Sequence, residues 1–169
     1  MQKTPSTRDI EAFKQAPKGA SDKALFVEDG IYKIYAAINN GASLVDMAIS
    51  ASSGRIHNVK LFHDNSSPES TWKFTRKSGA DYYVITNQLE KDLVLGVLND
   101  DNVVASPITG GPEQAWLLYK GDSNYTYYLQ VWLGKVMDVV GSGTANNTNI
   151  IVYPPQSKRN QMFGLTKIG

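Results

Sequence analysis

The chain has 169 residues, enough for one domain with a real core, and 41% of them are hydrophobic. Its 17 basic and 16 acidic residues leave a formal charge of +1, so no electrostatic case exists for nucleic acid or an anionic membrane surface as the main partner. There is no cysteine, which excludes disulfides, thiolate metal sites and cysteine nucleophiles.

Residues 1–28 read as an N-terminal arm. Lys3, Arg8, Lys14, Lys18 and Lys23 alternate there with Asp9, Glu11, Asp22 and Glu28, and Pro5 and Pro17 interrupt the segment. Ser6 and Asp9 offer a capping box for a short helix to Gln15, which Pro17 and Gly19 would end. A flexible arm, a short packed helix and a partner-binding segment all remain open. The opening MQKTPSTRDI holds no apolar run, and no stretch approaches a membrane-spanning length. The expectation is a cytoplasmic protein, or one released without a signal peptide, with no membrane insertion.

From Gly30 the chain becomes a series of short runs rich in Tyr, Val, Ile and Leu, separated by Gly, Asn, Asp, Ser and Pro. This pattern predicts an all-β domain over 29–169. GIYKIY (30–35), DYYVIT (81–86) and YTYYLQ (125–130) read as one strand repeated, with Tyr32, Tyr83 and Tyr127 as its markers. Two apolar runs follow each: LVDM and VKLF, then LVLGVL and VVASP, then KVMDVV and IIVY. Each unit closes on an aromatic, in STW (70–72), QAW (114–116) and NQMF (160–163), and the closing residues Trp72, Trp116 and Phe163 step by 44 and 47.

Three units, about 29–79, 80–123 and 124–169, each with four strands, predict a pseudo-threefold object. One unit alone has exposed edges and too little core, and three around an axis cure both. Tyr32, Ile34, Trp72, Phe74, Tyr83, Ile85, Trp116, Leu118, Leu129, Phe163 and Leu165 are the expected core.

These closing motifs resemble the Q-x-W repeats of the ricin B-chain type β-trefoil lectins. QAW keeps the motif in full, STW keeps only Trp72, and NQMF keeps Asn160 and Gln161 with Phe163 in place of Trp. The cysteine-free composition and EQAW are similar to intracellular fungal lectins, and NQMFGLTKIG to trefoil components of clostridial haemagglutinin complexes. The resemblance implies a β-trefoil that binds glycans without catalysis, with galactose or N-acetylgalactosamine as the family's usual sugar. It also implies a defence, storage or toxin-complex role, no cofactor, and avidity from two sites, a homodimer or a larger complex.

The same resemblance implies where sugar would sit. An acid accepts bonds from two sugar hydroxyls, an aromatic 15 residues later covers the sugar's C–H face, and an Asn before the motif's Gln adds a hydroxyl contact. In the third unit these places hold Asp138, Tyr153 and Asn160, with Gly141 in the intervening GSGTANN loop and Gln161 as a scaffold residue. Ile151 stands where the family often has Gln. The alternative is that Asp138 caps a turn and Tyr153 merely packs. The first unit offers a weaker second site: Asp46, Phe62 sixteen residues on, Glu69 at the Asn place, and Lys60 and His63 as further contacts. In the second unit the acid place falls near Leu95 and Gly96 and the aromatic place on Pro107, so no site is expected.

Other chemistry is thin. His57 and His63 with Asp64 match no metal-ligand spacing, and no G-x-S-x-G elbow accompanies them. GSGTAN lacks the lysine of a phosphate loop and reads as a turn. Paired carboxylates for glycoside hydrolysis are disfavoured by the near absence of acids in the apolar strands. The competing reading of the whole chain is a trefoil protein-binding module, a protease inhibitor or toxin-complex assembly subunit, with degenerate sugar sites.

Overall fold

A computed structural model describes residues 24–53, 55–123, 125–131 and 134–169; the helix expected before Gln15 lies outside them. Among these residues thirteen strands form a single sheet. They are β1 (Ala24–Leu25), β2 (Gly30–Ala36), β3 (Ser43–Ser53), β4 (Ile56–His63), β5 (Thr71–Arg76), β6 (Tyr83–Asn87) and β7 (Leu93–Val97), then β8 (Val103–Pro107), β9 (Trp116–Lys120), β10 (Tyr127–Val131), β11 (Val136–Val139), β12 (Ile150–Tyr153) and β13 (Phe163–Lys167).

Six of these strands close on themselves. β2 pairs β5, β5 pairs β6, β6 pairs β9, β9 pairs β10, β10 pairs β13, and β13 returns to β2. Closure removes the sheet edges that a single unit would expose. Six of the remaining seven strands form three hairpins, β3–β4, β7–β8 and β11–β12, one per unit. The architecture is a β-trefoil.

The registers explain why aromatics recur at the start and end of each unit. Tyr32 pairs Trp72, Tyr83 pairs Trp116, and Tyr127 pairs Phe163, forming one threefold layer across the barrel. The next layer pairs Phe74 with Ile85, Leu118 with Leu129, and Leu165 with Ile34. Of the eleven expected core residues, ten are buried, and Leu165 is half-buried against the core.

Below the barrel the three hairpins meet. β4 pairs β8 through Asn58 and Val104, and single bridges join Lys60 to Asn149 and Asn102 to Ile151. At this junction three asparagines, one from each unit, close a ring of side-chain amides. Asn58 donates to Asn149 (2.9 Å), Asn149 to Asn102 (2.9 Å), and Asn102 to Asn58 (2.6 Å). Each amide both gives and accepts one bond, as an Asn or Gln side chain can. An Asn102→Asp protein puts a carboxylate oxygen against the Asn58 carbonyl oxygen and loses that donor. A loss of about 1–3 kcal/mol is expected above pH 6, measured from the urea midpoint.

The chain is already paired at Ala24, within the segment assigned to the arm. β1 lies on the outer half of β9, at Tyr119 and Leu118, where β9 has diverged from β6. The Tyr83 hydroxyl then holds Val27 twice, accepting from its N–H (2.9 Å) and donating to its carbonyl (2.7 Å). The Arg76 guanidinium covers Phe26 at 3.6 Å from the ring centroid.

Candidate functional site

Each hairpin repeats the same local frame, and the third unit carries the most chemistry on it. On β11–β12 Asp138 pairs Ile151 and Val136 pairs Tyr153. Opposed residues, and those two apart, share a face of the sheet, so Asp138 and Tyr153 project to the same side. They line an open depression of about 270 Å³ with Gly141, Ile151, Lys158 and Asn160. Gly141 (φ 60°) and Ser142 (φ 56°) turn the chain out of β11 in the left-handed region, where glycine is at ease.

Asp138 is only 5% exposed, whereas Tyr153 is 45% exposed. The carboxylate is held at both ends: Oδ1 accepts from Asn160 Nδ2 (3.1 Å) and Oδ2 from Gln161 Nε2 (2.9 Å). Burial pushes its carboxyl above the usual range, opposed by the bonds from Gln161 and Asn160. Asn160 spends its second donor bond on the Val139 carbonyl, and its Oδ1 is buried with no partner among the described residues. Asn160 therefore braces the acid and retains one unused acceptor beside the depression.

Gln161 is fully buried and does not line the depression. Besides Asp138 it donates to the Pro154 carbonyl (3.0 Å) and accepts from the Gln156 N–H (2.8 Å). Gln114 makes the matching pair in the second unit, to the Pro107 carbonyl (2.9 Å) and from the Thr109 N–H (2.8 Å). That unit has no acid at this place, so the glutamine's first task is to tie the hairpin to the closing strand.

The first unit forms the second depression, of about 320 Å³. Asp46 pairs Lys60 and Leu44 pairs Phe62, the same diagonal as in the third unit. Asp46, Lys60, Phe62 and Glu69 line it, together with Asn65 and Asn147. Asp46 Oδ2 accepts from the Ser70 hydroxyl at 2.5 Å. Burial pushes its carboxyl up to about 6, the Ser70 bond opposes the rise, and the Glu69 charge adds to it. His63 takes a different role from the expected contact: its ring stacks on Phe62, with centroids 4.5 Å apart, and turns to Asn146.

A raised pKa here means that between about pH 4 and 6 the folded chain holds a proton the unfolded chain has released. Stability therefore falls as pH rises through that window, and above it the buried charge is a standing cost. Asp46→Asn removes the charge, and the Ser70 oxygen can turn to accept from the new amide. The variant is expected to be more stable by roughly 2 kcal/mol at pH 7–8 and to show little difference below pH 4. Urea titrations at both pH values check this.

The second unit has neither chemical part. Gly96 occupies the acid's place, and a Cβ there would lie 2.9 Å from Gln114 Cγ. Val94 pairs Ser106, so Ser106 stands where the other units carry an aromatic; Pro107, named from spacing, is one residue beyond. Trp116 Nε1 donates to the Leu95 carbonyl and Trp72 Nε1 to the Val45 carbonyl, both at 2.9 Å. Each acceptor immediately precedes the acid's place, so the tryptophan sets the height at which that residue emerges.

Asn65, Asn147, Gln156 and Lys158 also line the two depressions, and the expected set did not include them. Asn147 arrives from another unit, and no local pattern announces it. Among the described residues no group of three or more His, Asp or Glu is arranged to hold a metal ion. No helix among them is long and apolar enough to cross a membrane.

The closed barrel, three hairpins and paired depressions define a β-trefoil of the lectin type. The family model described as ricin-type beta-trefoil lectin domain-like matches residues 68–153, just over half of the chain. The chain belongs to this family.

Solved structures agree on the fold. The designed threefold-symmetric protein ThreeFoil is similar at 26% identity over 83% of this chain and all of that one, with a TM-score of 0.73. The ricin B-like lectin of Macrolepiota procera, solved in complex with lactose, is 15% identical over 85% of this chain and all of that one (TM-score 0.70). A mosquitocidal holotoxin is 18% identical over 85% of this chain but only 18% of its own length (TM-score 0.75). A comparison with curated proteins finds no match.

Proposed function

We propose that this protein is a glycan-binding lectin without catalytic activity, and that terminal galactose or N-acetylgalactosamine is its ligand. One observation carries the reading: a carboxylate oriented by two amide donors, Asp138, shares an open depression with the exposed ring of Tyr153. A carboxylate takes charge-assisted bonds from two neighbouring hydroxyls, and a ring face buries a sugar's apolar C–H patch. The two groups line one opening, which supports the lectin reading over a protein-binding trefoil with dead sites.

The depressions are shallow, so one sugar binds weakly, on the order of millimolar to high micromolar. The first-unit depression supplies a second foothold. Two weak sites on one rigid body gain avidity on a surface that presents many glycans. Ile151 and Lys60 stand opposite the two acids and set the sites apart, so unequal sugar preferences belong to the proposal.

A glycan array with the full chain tests it, followed by calorimetry with lactose. Signal confined to galactose- or N-acetylgalactosamine-terminated glycans supports the reading. A blank array, with the protein folded, removes it.

A further inference from the structure

The loop after β11 serves two units at once. Gly141 and Ser142 line the third-unit depression, and Asn147 lines the first-unit one. The far half of the loop is fastened to β4: Asn147 N–H donates to the Leu61 carbonyl (2.8 Å), and Leu61 N–H to the Thr148 carbonyl (2.9 Å). Two residues further along β4, beyond Phe62, the fastening passes to side chains. Asn146 Oδ1 accepts from the His63 backbone N–H at 2.9 Å, and Asn146 Nδ2 lies 2.9 Å from His63 Nδ1.

This geometry fixes a protonation state. A backbone N–H can only donate, so the amide oxygen must face it and the amide NH2 must face the ring. The bond then needs His63 Nδ1 as the acceptor, on a ring whose proton sits on Nε2. A second proton would set N–H against N–H. Turning the amide over would satisfy the ring and lose the backbone bond, so neither orientation serves a protonated His63.

We propose that His63 and Asn146 form a proton-sensitive latch that holds the third unit's loop as a wall of the first unit's depression and lets it go on mild acidification. The functional part of this inference rests on the glycan reading above. His63 is then a positioning residue, not a sugar contact. The charged group beside its ring is Asp64, already paired with Lys33 of β2 at 2.8 Å. Opposite it β3 presents Ser43, and the loop presents Asn146; neither titrates.

The two depressions differ in the same direction. Asp138 is held by amide donors, which favour its charged form, whereas Asp46 is held by a Ser70 hydroxyl that tolerates a protonated acid equally well. Acidification thus acts on the first-unit site twice, through the latch and through Asp46.

Backbone hydrogen exchange of the full chain, followed by NMR, tests the latch without reference to any sugar. In the wild type the protection factors of the Asn147 and His63 amides should fall about fivefold between about pH 7.5 and about pH 5.5, while those of β9 and β10 hold. His63→Gln keeps an acceptor that does not titrate, so protection should be the same at both pH values. Asn146→Asp supplies two acceptors and suits the protonated ring, so its protection should rise on acidification. Wild-type protection that ignores pH, or an Asn146→Asp protein that follows the wild type, would overturn the proposal.

Discussion

Asp138→Ala is expected to abolish glycan binding at the third-unit depression, by a hundredfold or more, while the fold stays intact. The two hydroxyl bonds that the carboxylate would accept are charge-assisted, each worth about 1.5–3 kcal/mol, and a millimolar ligand has little other affinity to fall back on. Each amide loses one buried N–H partner, at about 1–3 kcal/mol apiece, but Asn160 keeps the Val139 carbonyl and Gln161 keeps the Pro154 carbonyl, so both side chains stay anchored. Loss of a buried carboxylate also relieves a desolvation cost. The array signal of the variant, read beside its urea midpoint, checks both halves. Undiminished signal from a folded variant would move binding away from Asp138.

Trp116→Ala should cost the most stability of any single change considered, about 3–5 kcal/mol, against a total of roughly 5–15 for a domain of this kind. The side chain is fully buried, it pairs Tyr83 in the aromatic layer, and its indole N–H ties β9 to the second hairpin. The urea or thermal midpoint measures the loss. A fall of less than about 1 kcal/mol would contradict the role of that layer.

The architecture was legible because the unit is long and its markers are large. Tyr32, Tyr83 and Tyr127 step by 51 and 44, beside 44 and 47 for the closers, and each is paired in register with its own closing aromatic. The acid and ring of the third unit were legible too, since their spacing survives whole in one hairpin. What stayed hidden was whatever crosses between units. Asn147 reaches the first-unit depression from some 85 residues beyond Phe62, and His63 reads as a sugar contact until Asn146 is seen against it.

The asparagine ring did leave a trace. Asn58, Asn102 and Asn149 step by 44 and 47, as Trp72, Trp116 and Phe163 do, but asparagine is too common in turns to stand out. The pairing of Ala24 and Leu25 was unreadable for the opposite reason: two residues carry no periodicity.

That ring circulates in one sense, Asn58 to Asn149 to Asn102 and back. Reversing a single amide sets two donors face to face on one side and two oxygens on the other, so only a uniform circulation is free of conflict. Any two units without the third leave a half-made circuit at the foot of the molecule. A fragment, or a foreign chain inserting its own hairpin, must bring an asparagine to that spot or forgo the bonds. The hub thus works as a test of completeness, satisfied when all three units have arrived and by nothing less.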